Sequence, residues 1–500
     1  MYKLKKRNRN TCRKTRFPKK GYTKKFPEPC TDDMNFQECE LAILRQSVDE
    51  VEDTVKRKAA NSEEVKNMIQ IVERFLREQK CICYGGTAIN NILPTEVQFY
   101  DKGIEIPDYD FYSKTPVDHA KMLSDIFHKE GYADVEAKAG VHHGTYKVYV
   151  NFIPMADITY MHTDLFDNLG NEAMNINGIL YAPPNFLRMG MYLELSRPEG
   201  DVSRWEKVMK RLTLLNKYHP LTVTDCFKID FQRKIDTISD DDSSKLYLLI
   251  RDSFIEQGGI FFGGYAGSLY SRYMPSTEKR IIKSVPDFDV LCENIELSAS
   301  IVSQKLKTEG YNNIELKKHE SIGEVVPMHY EIIVNNETVA FIYEPIACHN
   351  YNEVHVEGKP IRVATIDTIL SFYLAFIYSN HAYDDRKYKD RLMCMSKFLF
   401  DVEEKNRLSQ MGLLKRFSLP CYGKQATLES IRTDKTNMFR KLRDKRGTDV
   451  WDEWFLKYNP AETKTKTKTK TNERKPKESK LKSSTKTKKK RKNKLSEYLF

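Results

Sequence analysis

A short acidic pentapeptide near residue 110 returns, a domain's length later, at the centre of the chain. Pro107-Asp108-Tyr109-Asp110-Phe111 lies about twenty residues after Gly85-Gly86-Thr87, and Pro286-Asp287-Phe288-Asp289 follows Gly263-Gly264 in the same way. The offset is 178 residues at the glycines, 179 at the first aspartate, and 180 where Lys207, Arg211 and Leu212 meet Lys387, Arg391 and Leu392. Upstream, Leu76-Arg77-Glu78-Gln79 matches Phe254-Ile255-Glu256-Gln257, and Ile82-Cys83-Tyr84 matches Ile260-Phe261-Phe262. A near-constant offset over more than a hundred residues marks an internal duplication of one α/β domain, and two copies are too few for a solenoid. With 500 residues, 40% of them hydrophobic, the chain has material for two or three cores.

Within the first copy, Asn61 to Gln79 spaces Val65, Met68, Ile69, Val72, Phe75 and Leu76 as one face of a helix, with Asn61 or Ser62 as N-cap. Cys81 to Tyr84 reads as a short buried strand running into Gly85-Gly86. Asp108 to Tyr112 reads as the next strand, Pro116 to Glu130 as a helix, and Tyr146 to Tyr160 as strands that carry Asp157. Residues i and i+2 of a strand share a face, about 6–7 Å apart, so Asp108 and Asp110 aim two carboxylates at one point. Such oxygens suit hard divalent cations. The Gly-Gly pair offers backbone N–H groups that a phosphate can approach, with no Cβ in the way.

Nucleotidyl transfer calls for an in-line attack by a 3′-hydroxyl on an α-phosphate, and a two-metal site for it favours three carboxylates. Asp157, an acid between Ala156 and Ile158 in an apolar strand, supplies the third in the first copy. Aligning Val339-Ala340-Phe341-Ile342 with Met155-Ala156-Asp157-Ile158 puts Phe341 in that position in the second copy, and Tyr265 stands where Thr87 offers a hydroxyl. Glu344 falls on the opposite strand face from Phe341. Catalysis is therefore expected in the first copy, and a structural or RNA-contacting role in the second. Ser203 to Leu212 reads as a helix whose Arg204, Lys207 and Arg211 share a face opposite Trp205, Val208, Met209 and Leu212. That face either meets phosphates or is simply solvated.

Gly85-Gly86-Thr87, Asp108-x-Asp110 and Asp157 resemble the DNA polymerase β-type nucleotidyltransferase superfamily. From about residue 60 to 400, including Leu187-Arg188-Met189 and Tyr192-Leu193-Glu194-Leu195-Ser196-Arg197-Pro198, the chain resembles the poly(A) polymerase catalytic subunits of large cytoplasmic DNA viruses, of poxvirus and giant-virus type. The superfamily more often has Ser where Thr87 stands. The resemblance implies an α+β fold of tandem duplicated nucleotidyltransferase-like domains, each a mixed sheet flanked by helices, the second copy degenerate. It implies that Asp108, Asp110 and Asp157 are catalytic and bind Mg²⁺ or Mn²⁺. Gly85, Gly86 and Thr87 would hold ATP, with Arg204 and Lys207 as further nucleotide contacts. The implied reaction adds a 3′ poly(A) tail to single-stranded mRNA, with a processivity subunit or a homodimer as partner, in the virion and the host cytoplasm. The motifs do not read the base, so a uridylyl- or CCA-adding transferase remains the rival, and a non-catalytic RNA-binding scaffold is the reading from another class.

Charge sharpens the organisation. Residues 1–26 hold twelve cations and no acid, and residues 461–500 hold sixteen against four acids, so each end contributes +12 to a net charge of +12 and the body between them is left at −12. A polyanion must then use the arms or local basic patches. The expected division is a basic arm over 1–45, a catalytic domain over 46–220, a degenerate copy over 221–410, a helical extension over 411–460 and a disordered Lys-rich tail over 461–500. In the tail, Lys488, Lys489, Lys490, Arg491 and Lys492 are the candidate RNA tether or a localisation signal. Ten cysteines without a C-x-x-C pair indicate neither a zinc ribbon nor a disulfide scaffold, which fits a reducing compartment. No apolar run approaches eighteen residues, so no membrane association is expected. His142-His143, at an expected turn, lacks a ligand partner at useful spacing, and Cys81-x-Cys83 reads as core packing.

Overall fold

A computed structural model describes residues 29–31, 34–101, 103, 106–223, 226, 240–279, 288–323, 325–379, 386–406 and 408–462. The candidate tether Lys488 to Lys492, most of the N-terminal arm, and Pro286-Asp287 of the second acidic motif lie outside these residues. The described residues fall into two compact units, one made of the chain up to Val65 with Asp101–Ile106, the other of Lys66–Tyr100 with everything from Pro107 onward. The first unit contains a 25-residue helix, Phe36–Ala60. The second contains both copies of the repeat.

The first copy supplies β1 (Ile82–Cys83), β2 (Tyr109–Ser113), β3 (Val135–Ala139), β4 (Thr145–Val150), β5 (Ile153–Tyr160), β6 (Met174–Ile176) and β7 (Ile179–Tyr181). The second supplies β8 (Ile260–Phe261), β9 (Phe288–Leu291), β10 (Ile314–His319), β11 (His329–Val334), β12 (Glu337–Tyr343), β13 (His349–Val356) and β14 (Lys359–Ala364). The C-terminal stretch adds β15 (Cys421–Tyr422) and β16 (Lys457–Tyr458). One sheet runs β16-β3-β4-β5-β2-β1-β7-β6 and the other β10-β11-β12-β9-β8-β14-β13-β15. Without the two added strands the orders are the same, and so is the hand of each pairing. β2–β5 and β1–β7 are parallel, as are β9–β12 and β8–β14, while the neighbouring pairs are antiparallel. The duplication expected from the 178–180-residue offset is thus present strand for strand, in an α+β architecture of two mixed sheets flanked by helices. β16 and β15 each cover an edge strand, β3 in one sheet and β13 in the other, which removes an exposed row of unpaired backbone groups.

Turn chemistry repeats as well. The hairpins β4–β5 and β11–β12 close on Asn151-Phe152 and Asn335-Asn336, and β6–β7 and β13–β14 on Asn177-Gly178 and Glu357-Gly358, all with positive φ at both central residues. Two-residue turns of this kind match the twist of the strands they join. On the helical side, Ser62 Oγ accepts from the Val65 N–H at 3.2 Å, as expected for the N-cap of Glu63–Gln79, and that helix buries Met68, Val72, Phe75 and Leu76.

Helix Ile366–Phe376 is buried along its entire length and packs against Pro184–Leu195, its counterpart in the first copy. Beside this helix pair, Arg416 bonds both oxygens of the fully buried Asp367, its Nη2–Oδ1 distance being 2.7 Å, and its other nitrogen reaches Glu403. Burial raises Glu403 to about 8, against the pull of Arg416. Scattered cysteines are brought together here in a way their spacing conceals: Cys226 pairs with Cys394 and Cys348 with Cys421, and Cys30 pairs with Cys39 in the first unit. The partners of the first two pairs are 168 and 73 residues apart, so only the tertiary fold brings them together. Among the described residues, no helix is long and apolar enough to cross a membrane.

Candidate active site

The strand register assembles the site. In the parallel pair β2–β5, Asp110 stands directly opposite Asp157, so both carboxylates rise from the same sheet face on adjacent strands. Asp108, exposed, sits just before β2 on the same side of the alternation. Behind β5, Lys147 of β4 is the cross-strand partner of Asp157 and forms an ion pair with its Oδ2. Asp157 Oδ1, although buried, accepts no hydrogen bond.

Charge crowding is evident at both remaining carboxylates. Asp110 is raised to about 7, first by burial and then by Asp108 and Asp157, with Lys147 and Arg204 pulling the other way. Asp108, although exposed, is raised by partial desolvation against the protein and then by Asp157, with Lys147 pulling the other way. At Lys147, burial opposes the charged form, but the hydrogen bond and charge of Asp157 outweigh it and leave the ammonium raised. The cluster carries more negative charge than its one close cation balances.

These residues fit a hard divalent cation. Every donor is a carboxylate oxygen, one of them buried without a partner, and the crowded charge is what a cation would neutralise. Asp157 Oδ2 is engaged by Lys147, so a cation shared with Asp108 and Asp110 would compete with that pair.

The glycine loop is fitted to this face. Gly85 has φ +72°, a conformation that L side chains rarely adopt, and a Cβ there would meet Asp110 Oδ2 at 2.4 Å. At Gly86 a Cβ would lie 2.3 Å from Tyr100 Oη and about 3 Å from the Arg211 guanidinium. Arg211 is held there by a 2.7 Å bond to Tyr100 Oη and by the ring of Phe99, 4.8 Å from its centre. The Thr87 hydroxyl, expected to meet phosphate, is buried and donates to the Asp108 carbonyl at 2.7 Å, which pins the glycine loop to the mouth of β2.

Of the three cations singled out on the basic face, Arg204, in the turn Val202–Arg204, is near enough for its charge to act on Asp110 and pairs with Glu194 at 3.2 Å. Lys207 is exposed and makes neither a hydrogen bond nor an ion pair. Lys147 and Tyr100 complete the site and were not singled out for it by motif reading, whereas Arg211 belongs to the basic face read as one that meets phosphates or is solvated. The signal for Lys147 was available: in Tyr146-Lys147-Val148-Tyr149-Val150 it faces away from the buried positions, as Asp157 does in its own strand.

The second copy keeps the frame and loses the chemistry. Phe341 stands opposite Asp289 in the register that pairs Asp157 with Asp110, as the sequence alignment proposed. Glu331 is the cross-strand partner of Phe341, so an acid replaces Lys147. Tyr265, in the place of Thr87, packs against Phe261 and Phe288 with ring centres at 4.9 and 5.6 Å. The cradle survives as a fossil: a Cβ on Gly263 would overlap Asp289 Oδ2 at 1.8 Å.

On the carboxylate-bearing face of the first copy, the strands continue two residues past Asp110 and Asp157 to Tyr112 and Thr159, which line a cavity of about 1010 Å³. Its wall also takes Tyr84 from the glycine loop, Val325 from the second copy, and Asp449 and Glu453 from the C-terminal extension. Tyr84 stacks on Tyr112 at 3.9 Å and bonds Thr159 at 2.9 Å. His142 and His143 lie on the wall, and His143 stacks on Trp454 of the extension at 3.9 Å.

Residues 70–201 match the family model described as poly(A) polymerase catalytic subunit. A relative from Acanthamoeba polyphaga mimivirus, named as a poly(A) polymerase catalytic subunit, is 26% identical over 288 residues, 53% of this chain and 47% of its own length. One from African swine fever virus, with the same name, is 30% identical over 175 residues, 34% of this chain and 36% of its own. The matches thus span half or less of these relatives. Among solved structures, the Megavirus polyadenylate synthase superposes with a TM-score of 0.72 over 91% of each chain at 20% identity, which establishes a shared fold. The resemblance noted in the motifs therefore holds in sequence over the first copy and in fold over nearly the whole chain.

Proposed function

We propose, taking the similarity to viral poly(A) polymerase catalytic subunits as premise, that this chain is a template-independent RNA nucleotidyltransferase that adds adenylates from ATP to the 3′ end of single-stranded mRNA. The observation that carries the reading is the register of β2 and β5, which sets Asp110 against Asp157 with Asp108 at the strand mouth. Asp108, Asp110 and Asp157 would hold Mg²⁺ or Mn²⁺, which when bound supplies Lewis-acid activation of the attacking hydroxyl and of the leaving pyrophosphate.

The chain's own groups do the rest. Gly85 and Gly86 let the loop pack closely against Asp110 and against Tyr100 and Arg211, and Arg211, fixed by Tyr100 at that loop, is the cation placed to receive triphosphate oxygens. Arg204 serves as a second, more mobile cation at the rim, being 57% exposed. Lys147 holds Asp157 in orientation when no cation is present. Thr87 acts through backbone position, fixing the strand mouth that presents Asp108. The second copy, without its third carboxylate, acts as scaffold and as part of the cavity wall.

The test is incubation of the protein and divalent metal with a single-stranded RNA primer and each nucleoside triphosphate separately. Long tails from ATP are expected; tails from UTP or CTP but not ATP would transfer the reading to a uridylyl- or CCA-adding enzyme. Asp108→Ala with Asp110→Ala should abolish incorporation, and an unchanged rate would make the chain a scaffold and overturn the enzymatic reading.

A further inference from the structure

One basic surface is left unexplained by the active site. In the C-terminal extension, helix Leu428–Leu442 and the turn Arg443–Lys445 carry Arg432, Lys435, Arg440, Lys441, Arg443 and Lys445, followed by Arg446, against Glu429, Asp434 and Asp444. Seven cations and three acids in nineteen residues make a local +4 within a body that nets −12. Arg440, Lys441, Arg443, Lys445 and Arg446 are all exposed, and none pairs with a carboxylate among the described residues.

Elsewhere some exposed cations hold an acid within 3.0 Å, as Lys56, Arg74, Lys210 and Lys359 do, and others, such as Lys207, do not. What sets this surface apart is that its cations are clustered in one short segment without such acids.

Aromatic rings are interleaved with it. Phe439, 39% exposed, lies 5.5 Å from Trp451 and 5.5 Å from Phe455, and Arg446 covers both Phe439 and Trp451 at 5.4 and 5.2 Å. Cations for phosphates beside π-faces for bases is the combination that binds single strands without reading sequence. The extension is also firmly seated on the catalytic copy. β16 pairs with β3, Lys121 bonds Asp452 at 2.7 Å, and Tyr146 Oη donates to the Glu453 carbonyl at 2.7 Å. Its helix Asp449–Phe455 follows the basic turn directly and forms part of the wall of the cavity that begins at Tyr112 and Thr159.

We propose that Leu428–Arg446 is a docking surface for single-stranded RNA, holding the stretch of primer 5′ of the end that enters the active-site cavity. The inference rests on the polymerase reading for the identity of the RNA, and on the charge and ring pattern for the surface itself. Phosphates meet Arg440, Lys441, Arg443 and Lys445, and bases lie against the Phe439–Trp451 cluster.

The variant Arg440→Gln, Lys441→Gln, Arg443→Gln, Lys445→Gln in the full chain tests it, since all four side chains are exposed and bear no fold contacts. A control neutralises Lys307, Lys317, Lys318 and Lys405, exposed cations of the second copy, in the same way. Four phosphate contacts on a single strand contribute about 3 to the slope of log K against log salt, so that slope should fall by about 3 in the variant and stay unchanged in the control. KM for a primer of about 20 nucleotides should rise about tenfold or more, while KM for a primer of about 4, KM for ATP and kcat hold. An unaltered long-primer KM and salt slope, an equal loss on the short primer, or an equal loss in the control would overturn the assignment. Failure of the wild-type protein to extend any primer strikes the polymerase reading alone, because the salt slope is measured by binding.

Discussion

The metal-free protein should lose stability as pH rises toward neutrality, and Asp110→Asn should abolish much of that loss. Asp110 in the folded chain is raised to about 7 by burial and by its neighbours Asp108 and Asp157, whereas its ordinary value is 3.8. A carboxyl whose folded pKa lies above its unfolded one contributes stability that is fully present below about 4 and is lost as pH climbs through about 7, because the folded state alone keeps the proton in that window. Three pH units at about 1.36 kcal/mol each set a ceiling of about 4 kcal/mol for the effect. Asparagine has nearly the same shape and no charge to lose. In EDTA, wild type and Asp110→Asn should melt close together near pH 4, and the variant should pull ahead by about 5–15 °C near pH 8, read by differential scanning calorimetry. Mg²⁺ should then raise the wild-type transition and leave the variant where it is, while the variant incorporates no nucleotide. Parallel pH profiles for the two proteins in EDTA would refute the claim that crowded, buried carboxylates are held in reserve for a cation.

Thr87→Val removes the bond to the Asp108 carbonyl and should cost about 1 kcal/mol of stability with a fall in kcat, whereas Thr87→Ser should restore both in thermal melts and primer extension. Gly85→Ala forces a Cβ against Asp110 at positive φ, and incorporation should fall to background with a destabilisation of about 1–3 kcal/mol in chemical denaturation. Asp367→Asn leaves Arg416 short of its buried partner and should destabilise by about 3–5 kcal/mol by the same measurement, with little change in KM for ATP of the protein that remains folded. Deleting residues 461–500 should weaken RNA binding chiefly at low salt, and an unchanged salt slope would remove the tail from RNA binding.

What the sequence discloses here follows from what repeats and what does not. Duplicated chemistry leaves a fixed offset, so the glycine loops, the acidic strand and the replacement of Asp157 by Phe341 were legible in the sequence, while the register that sets Asp157 opposite Asp110 and Phe341 opposite Asp289 came only with the sheets. Strand alternation could assign faces but not neighbours: β4 reaches β5 through a two-residue turn, and only that register reveals Lys147 as the counter-ion of Asp157. Arg211 was legible as part of a basic helix face, yet its role depends on Tyr100, which sits in an irregular stretch with no period to read. Thr87 shows the converse, a motif residue whose type was read correctly and whose hydroxyl turns inward to backbone. The Cys226–Cys394 and Cys348–Cys421 pairs, like the seating of β16 on β3, join segments 73 to more than 300 residues apart, where no local pattern survives. Divergence between the copies carries the most information of all. At the position facing the third carboxylate, Lys147 has become Glu331, so Phe341→Asp alone would set an acid against an acid and still lack the open loop that Tyr265 has filled. The second copy differs from the first at three positions of this face, Phe341, Glu331 and Tyr265, so one restored aspartate should leave it inert.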